Sequence, residues 1–154
     1  MKILVLSDSH GEIRYMERAV FDESPDLIVH LGDRFRDGEV LQKKFCRIPY
    51  IGVPGNCDLG SADEAVIVRE IAGVRFLITH GHKHAVKYGL LRLGLAAAES
   101  GAQVALYGHT HIAAHELFEG IHLFNPGAAG GGDPSYGVVE LDTDGGLVCR
   151  IVHF

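Results

Sequence analysis

With 154 residues, 47% of them apolar, the chain has the size and composition of one globular domain with a sizeable core. Its formal net charge of −6 argues against a broad phosphate-backbone binder, because such proteins need clustered Lys and Arg side chains. We therefore expect a single domain over residues 1–154 that forms no stable complex with nucleic acid. A small anionic substrate is not excluded, since bound cations reverse the sign of the charge locally.

The cysteines and the apolar segments indicate in which cellular compartment the protein is expected. Cys46, Cys57 and Cys149 are odd in number and far apart, with no CxxC motif, which argues against a disulfide framework and against a Cys-rich zinc site. The apolar run that begins at Met1 is too short for a signal peptide, and no segment approaches the roughly 20 apolar residues of a membrane span. We expect a cytoplasmic protein without a membrane partner.

The first third of the chain repeats one pattern, in which a β-prone apolar run precedes a polar loop and a helix with one apolar face. Strands are predicted at 3–6, 27–31 and 50–53, and helices after Gly11 and at 38–45. This alternation favours a parallel sheet whose polar loops lie at the carboxyl ends of its strands.

The rest of the chain predicts mixed and antiparallel strands around one further helix. Residues 65–71 and 74–79 form a predicted hairpin. Apolar residues at helical spacing predict a helix at 86–98, whose apolar face is a candidate contact in a homodimer or a higher homo-oligomer. Further strands are predicted at 104–107, 116–118, 122–124, 136–141 and 147–152.

Short polar clusters at the ends of the predicted strands supply candidate metal ligands. They contribute two aspartates, one asparagine and four histidines, namely Asp8, His10, Asp33, Asn56, His80, His109 and His111. Because side chains alternate along an extended strand, two residues such as Asp8 and His10 would point to one side and share an ion. Imidazole nitrogen suits borderline metals such as Mn, Fe, Co, Ni and Zn, so this mixed set disfavours pure Ca or Mg sites.

In order and sequence, these clusters resemble the DxH, GD, GN, HGH and GHTH elements of the calcineurin-like metallophosphoesterases, specifically their small single-domain bacterial and archaeal phosphodiesterases. The resemblance runs from Lys2 to near Leu141, and Asn125-Pro126-Gly127 resembles a further turn of the family. It implies an α/β fold, a four-layer α/β/β/α sandwich of two mixed β-sheets flanked by helices. It also implies two divalent metal ions, with Mn favoured and Ni, Fe, Co or Zn as alternatives.

The resemblance gives each polar cluster a place around the two ions. By this correspondence the bridging carboxylate is Asp33, the ligands of the first metal are Asp8, His10 and His111, and those of the second metal are Asn56, His80 and His109.

Residues beside the ligands are candidates for catalysis and substrate binding. Many family members carry a histidine after the GN asparagine, where it binds phosphate and assists the leaving group, but this position is Cys57 here. A thiol donates weakly, so we predict activity on diesters with good leaving groups and little on alkyl monoesters or 2′,3′-cyclic nucleotides. We assign catalytic roles to Asn56, Cys57, Asp58 and His82, and substrate contacts to Cys57, His82 and Arg34.

The leading prediction is a dinuclear metal-dependent phosphodiesterase that acts on a small phosphodiester by attack of a metal-bridging hydroxide. Two alternatives stay open. One is a nucleotide pyrophosphatase or phosphomonoesterase, and the other is a non-catalytic protein-interaction scaffold of the same fold, like the retromer subunit of the superfamily. The complete ligand set argues against a scaffold, which has no chemical need for four converging histidines.

Overall fold

Two five-stranded β-sheets form the centre of the computed structural model, which describes residues 1–59, 63–142 and 144–154. Its strands are β1 (Lys2–Leu6), β2 (Leu27–His30), β3 (Tyr50–Gly52), β4 (Val66–Ile71), β5 (Val74–Thr79), β6 (Val104–Leu106), β7 (Ala114–Phe118), β8 (Ile121–Asn125), β9 (Ser135–Leu141) and β10 (Leu147–His153). The strand order is β10-β9-β1-β2-β3 in the first sheet and β4-β5-β6-β8-β7 in the second. Both sheets are mixed, as predicted.

Three α-helices cover the outer faces of the two sheets: α1 (Ile13–Glu23), α2 (Phe35–Lys44) and α3 (Leu91–Glu99). A core that includes Val5 and Phe76 fills the space between the sheets. Met16 of α1 belongs to a second core on the outer face of the first sheet, whereas Leu93 of α3 belongs to a third core on the second sheet. The structure thus confirms the predicted α/β/β/α sandwich. None of the helices in the described residues is long and apolar enough to cross a membrane.

Parallel pairing brings the polar loops to the carboxyl ends of neighbouring strands. In the first sheet β1 pairs in parallel with β2, and β2 pairs in parallel with β3. In the second sheet β5, β6 and β8 run in parallel. The loops that follow β1, β2, β3, β5 and β6 carry the predicted ligands, so strand direction alone places them at two sheet edges.

Two predicted helix boundaries are wrong. Helix α2 begins at Phe35 rather than at 38, because the backbone N–H groups of Arg34 and Phe35 donate to Asp58 Oδ1 at 3.0 and 2.9 Å, a contact from a distant loop. Helix α3 begins at Leu91 rather than at 86. Residues Val86–Tyr88 form a 3₁₀ turn, and Gly89 then interrupts the helical path with a φ of 138°.

A buried carboxylate joins the end of α1 to three strands of the first sheet. Glu23 is only 8% exposed, and its Oε1 accepts hydrogen bonds from Tyr136 Oη at 3.1 Å and from Arg150 Nη1 at 3.0 Å. Lys2 Nζ donates to the Glu23 backbone carbonyl at 2.9 Å. The hydrogen bonds from Arg150 are the largest cause that holds the pKa of Glu23 below its ordinary value.

Replacing this carboxylate tests its contribution to the stability of the fold. We expect Glu23→Gln to lower the free energy of unfolding at pH 7 by about 2 kcal/mol. The substitution removes the negative charge of a buried side chain and leaves Arg150 without that charged partner. Since the folded-state pKa of Glu23 is depressed, its stabilisation is complete above the ordinary carboxyl pKa and is lost as the pH falls through the lower folded-state value. Urea unfolding at pH 7 and in acid measures both effects.

Glu140→Gln is the matched control, because Glu140 lies 3.8 Å from the same Arg150 but its side chain is 45% exposed. This variant should unfold like the wild type. Equal losses in the two variants, or a loss for Glu23→Gln that stays constant into acid, would contradict the assignment.

Candidate metal centre

A first group of side chains converges from the loops after β1, β2 and β6. The ligand atoms of Asp8, His10, Asp33 and His111 all lie within 4.8 Å of one another. The Nε2 atoms of His10 and His111 are 3.4 Å apart, and His111 Nε2 is 3.1 Å from Asp8 Oδ1. Asp8 is fully buried, yet its Oδ1 has no hydrogen-bond partner among the described residues. A buried carboxylate oxygen without a donor, facing imidazole nitrogens, fits a cation.

A second group lies beside the first and comprises Asp33, His80 and His109, with Asn56 at its edge. His80 is fully buried and its Nδ1 lies 2.8 Å from the Leu31 carbonyl, to which it donates, so its Nε2 carries a lone pair. That Nε2 lies 3.2 Å from Asn56 Oδ1, 3.2 Å from His109 Nδ1 and 3.5 Å from Asp33 Oδ1. Acceptor atoms thus face one another, an arrangement that a bound cation would stabilise.

Asp33 belongs to both groups, as the predicted bridging position requires. Cys57 donates to it twice, from its backbone N–H to Oδ1 at 3.0 Å and from its thiol to Oδ2 at 3.3 Å. Burial opposes ionisation of Asp33, but the hydrogen bonds from Cys57 help to hold its pKa below the ordinary value. The hydrogen bond to Asp33 is in turn the main reason why the pKa of the Cys57 thiol is raised. Burial lowers the pKa of His109, which favours the neutral imidazole that metals bind.

The ligand loops owe their geometry to the backbone rather than to strand alternation. Five candidate ligands have positive φ angles: Asp8 (53°), His10 (46°), Asp33 (54°), His109 (68°) and His111 (61°). The expectation that extended strands point residues two apart to one side is therefore wrong, although the side chains do converge. Non-glycine residues in this region are strained, and such strain persists only where surrounding contacts hold it.

Contacts around Asp8 fix the orientation of its carboxylate. Ser7 Oγ donates to Asp8 Oδ2 at 2.6 Å, and the backbone N–H of His109 donates to the same oxygen at 3.1 Å. Both donors use Oδ2, which leaves Oδ1 to face the imidazoles. The close approach depends on Gly108, since a Cβ there would lie 2.0 Å from Ser7 Oγ.

Two supporting residues were not predicted from the sequence. Asp37 Oδ2 accepts hydrogen bonds from Ser9 Oγ at 2.8 Å and from the Gly11 N–H at 2.7 Å, and so holds the first ligand loop. Asn125 Nδ2 donates to Thr110 Oγ1 at 3.0 Å and holds the loop after β6. The turn motif at Asn125 was a usable signal, whereas Asp37 lies in a helix without any motif of its own.

The proposed substrate-binding residues lie around the two groups. Cys57 and Arg34 line an open cavity of about 580 Å³ together with Arg36. The His82 ring lies 5.4 Å from that of His80 and 6.2 Å from that of His109, centroid to centroid. Cys57 and Arg34 thus share one cavity, and His82 lies beside the second group, while their roles in substrate binding stay predictions.

Asp58 also lines this cavity, but both of its carboxylate oxygens are already bound by backbone N–H groups, which argues against the catalytic role predicted for it. Its Oδ1 accepts the backbone N–H groups of Arg34 and Phe35, and its Oδ2 accepts that of Gly55 at 2.8 Å. A carboxylate that receives three backbone N–H groups joins the loops after β2 and β3 and begins helix α2. These contacts favour a positioning role for Asp58, and its predicted catalytic role stays a prediction.

Comparison with known proteins identifies the family. The model of the calcineurin-like phosphoesterase superfamily domain matches residues 1–144. The chain belongs to this superfamily. The probable metallophosphoesterase YsnB of Bacillus subtilis is 32% identical to this calcineurin-like phosphoesterase over 155 residues, with 96% of the chain and 89% of YsnB covered. Phosphodiesterase MJ0936 of Methanocaldococcus jannaschii is 29% identical, with 92% and 94% covered.

Solved structures agree with the calcineurin-like fold. A conserved uncharacterized protein of Streptococcus pneumoniae TIGR4, predicted to be a phosphoesterase, has a TM-score of 0.79 and 25% identity, covering 99% of this chain and 97% of its own. Wild-type Vps29 of Entamoeba histolytica, complexed with Zn²⁺, has a TM-score of 0.77, 17% identity and 99% coverage of both chains. At that identity, the Vps29 similarity shows the fold alone.

The assignment of Asp58 in this calcineurin-like phosphoesterase can be tested by substitution. Asp58→Asn should lower the free energy of unfolding by about 2 kcal/mol, because the amide replaces one acceptor oxygen with a donor that faces backbone N–H groups. The pH profile of any hydrolytic activity should keep its shape, since no proton-transfer group is removed. Urea unfolding and pH-rate profiles separate the two roles.

Glu39→Gln is the matched control, because Glu39 is an exposed acid that lines the same cavity. It should change neither stability nor profile. Unchanged stability in Asp58→Asn, together with loss of one limb of its pH profile, would restore the catalytic assignment.

Proposed function

We propose that this protein is a dinuclear metal-dependent phosphodiesterase. The observation that carries the proposal is the pair of adjacent ligand groups that share Asp33, each with imidazole and carboxylate donors. The family membership supports phosphoester hydrolysis, and one relative is named a phosphodiesterase. We assign the first ion to Asp8, His10, Asp33 and His111, and the second to Asp33, Asn56, His80 and His109.

The chemistry follows from this arrangement. Two divalent ions held by these residues would supply Lewis-acid binding of a phosphoryl group and activation of a water as the nucleophile. The protein holds the ligands with Ser7, Asp37 and Asn125 behind them. Arg34 offers a guanidinium for a phosphate oxygen, and its Nη2 would lie 3.6 Å from a Cβ placed on Gly11, so its side chain extends over the first ligand loop.

We propose Mn²⁺ as the native ion. Carboxylate oxygen and neutral imidazole are both ligands that Mn²⁺ accepts, and the same donors admit Fe²⁺, Co²⁺, Ni²⁺ and Zn²⁺. Any of these ions would be held by His80 Nε2 and Asn56 Oδ1, which lie 3.2 Å apart.

We propose a small diester with a good leaving group as the substrate. The cavity beside Cys57 is open, and its lining carries both signs of charge, from Arg34 and Arg36 and from acids such as Asp37 and Glu39. Such a lining would bind a small phosphate ester with little selectivity for its alcohol group. The raised pKa of the Cys57 thiol and its contact with Asp33 make it a poor proton donor to a departing alkoxide. The cytoplasmic location and a homodimer contact along the helix after Gly89 stay predictions.

Hydrolysis of bis(p-nitrophenyl) phosphate tests the proposed function. Chelator-treated protein should be inactive, and added Mn²⁺ should restore turnover of this diester well above turnover of p-nitrophenyl phosphate. Asp33→Asn is the negative control, because it removes the charge of the shared ligand. Metal uptake without turnover of either ester would move the assignment to a protein-interaction scaffold, and preference for the monoester would move it to a phosphomonoesterase.

Cys57 provides a second test, on substrate choice. We expect Cys57→His to gain hydrolysis of 2′,3′-cyclic nucleotides by about 10-fold or more, because an imidazole can bind phosphate and protonate a poor leaving group. Cys57→Ser is the matched control and should gain nothing. An unchanged substrate profile in Cys57→His would show that Cys57 does not determine the substrate specificity.

A further inference from the structure

A third group of metal-ligating side chains lies away from the centre described above. It consists of His115 on β7, His122 on β8 and Cys149 on β10, whose ligand atoms all lie within 4.8 Å of one another. We propose that these three residues bind a Zn²⁺-class transition metal ion that links the two β-sheets. The site is separate from the proposed dinuclear centre and does not depend on its activity.

The strand register explains how two histidines seven residues apart meet. In the antiparallel pair of β7 and β8, His115 is opposite Phe124 and His122 is opposite Leu117. Opposite residues share a face, so the two histidines are diagonal neighbours on the face that carries Phe124. Phe124 is fully buried in the core between the sheets, which means that this face looks toward the first sheet.

Cys149 reaches the same place from the facing sheet. It is opposite Val139 in the pairing of β10 with β9, and both residues pack against the core between the sheets. Strands β7 and β10 are the outermost strands of their sheets on this side. The three ligands therefore close one open edge of the sandwich, and an ion bound to them would link the sheets.

The contact between the two imidazoles also fits a shared ion. His115 Nε2 and His122 Nδ1 are 2.9 Å apart, and the rings are stacked with centroids 5.1 Å apart. Only a proton or a cation keeps two ring nitrogens at this distance, because two lone pairs repel each other. Tetrahedral zinc with Zn–N bonds of about 2.0–2.1 Å needs about 3.3 Å between the nitrogens, a small widening for rings at a surface.

The donor set selects the class of ion. One thiolate and two imidazoles suit Zn²⁺, Co²⁺, Ni²⁺ and copper, whereas Ca²⁺ and Mg²⁺ prefer oxygen ligands, of which this group has none. Burial raises the pKa of the Cys149 thiol to about 11, so the free thiol stays protonated at neutral pH. Binding would form a metal–sulfur bond and release the thiol proton to water, with no change in oxidation state. Because His115 is exposed, the fourth position faces solvent.

Cobalt spectroscopy tests this site directly. A Cys46→Ser/Cys57→Ser protein keeps Cys149 as its one remaining thiol, since the sequence has three cysteines. Saturation of this protein with Co²⁺ should produce a thiolate-to-cobalt charge-transfer absorption, which the ligands proposed for the dinuclear centre cannot produce. Adding Cys149→Ala should abolish the absorption, and adding His115→Ala or His122→Ala should weaken Co²⁺ binding at this site by at least 10-fold.

His153→Ala is the matched control, because His153 is an exposed histidine on the same strand as Cys149 and should leave the absorption unchanged. Absence of the charge-transfer absorption at saturating Co²⁺ would overturn the proposal. So would an absorption that both histidine substitutions leave unaltered, since Cys149 would then bind cobalt without them.

Thermal unfolding gives a second readout that needs no thiol spectroscopy. Zn²⁺ should raise the unfolding midpoint of the Cys46→Ser/Cys57→Ser protein more than that of the same protein with Cys149→Ala, because an ion that binds only the folded state stabilises it. The dinuclear centre contributes equally to both proteins, so the difference reports the third group. Equal shifts in the two proteins would overturn the proposal.

Discussion

The position of the Asp33 carboxylate constrains the rest of the site. It must face two ligand groups at once, so the loops after β2 and β3 have to touch. Gly55 makes this possible, because a Cβ there would lie 2.2 Å from Asp33 Oδ1. Cys57 then donates to both oxygens of Asp33. Asp58, in the same loop, accepts the backbone N–H of Phe35 at the start of α2. Substitution of any of these residues changes the centre through Asp33.

The ligand loops have an unusual backbone conformation that surrounding contacts hold in place. Candidate ligands such as Asp8 and His111 have left-handed backbone conformations, and with neutral imidazoles the acceptor atoms of several side chains face each other at short distances. Three hydrogen bonds hold this arrangement: the Ser7 hydroxyl donates to the Asp8 carboxylate, the Gly11 N–H donates to Asp37, and the Asn125 amide donates to the Gly108 carbonyl. A bound cation would convert the repulsion between acceptors into coordination, so metal binding and stability of the ligand loops are coupled.

The sequence was sufficient for the sheets and for the identity of the candidate ligands, because apolar runs and short polar motifs are local signals. It was insufficient where a distant contact decides the structure. The early start of α2 and the role of Asp58 both depend on a loop more than twenty residues away. The approach of His115 to Cys149 follows from the packing of two sheets, and no spacing along the chain indicates it. The left-handed ligand loops were missed because Asp and His give no glycine-like signal.

The most direct test of the proposed dinuclear centre is anomalous X-ray diffraction from crystals of the protein soaked with Mn²⁺. A dinuclear centre should give two anomalous peaks, about 3.5–4 Å apart, on either side of the Asp33 carboxylate. One peak should lie against Asp8, His10 and His111, and the other against Asn56, His80 and His109. A single peak, or two peaks with no contact to Asp33 between them, would contradict the shared carboxylate and with it the dinuclear centre.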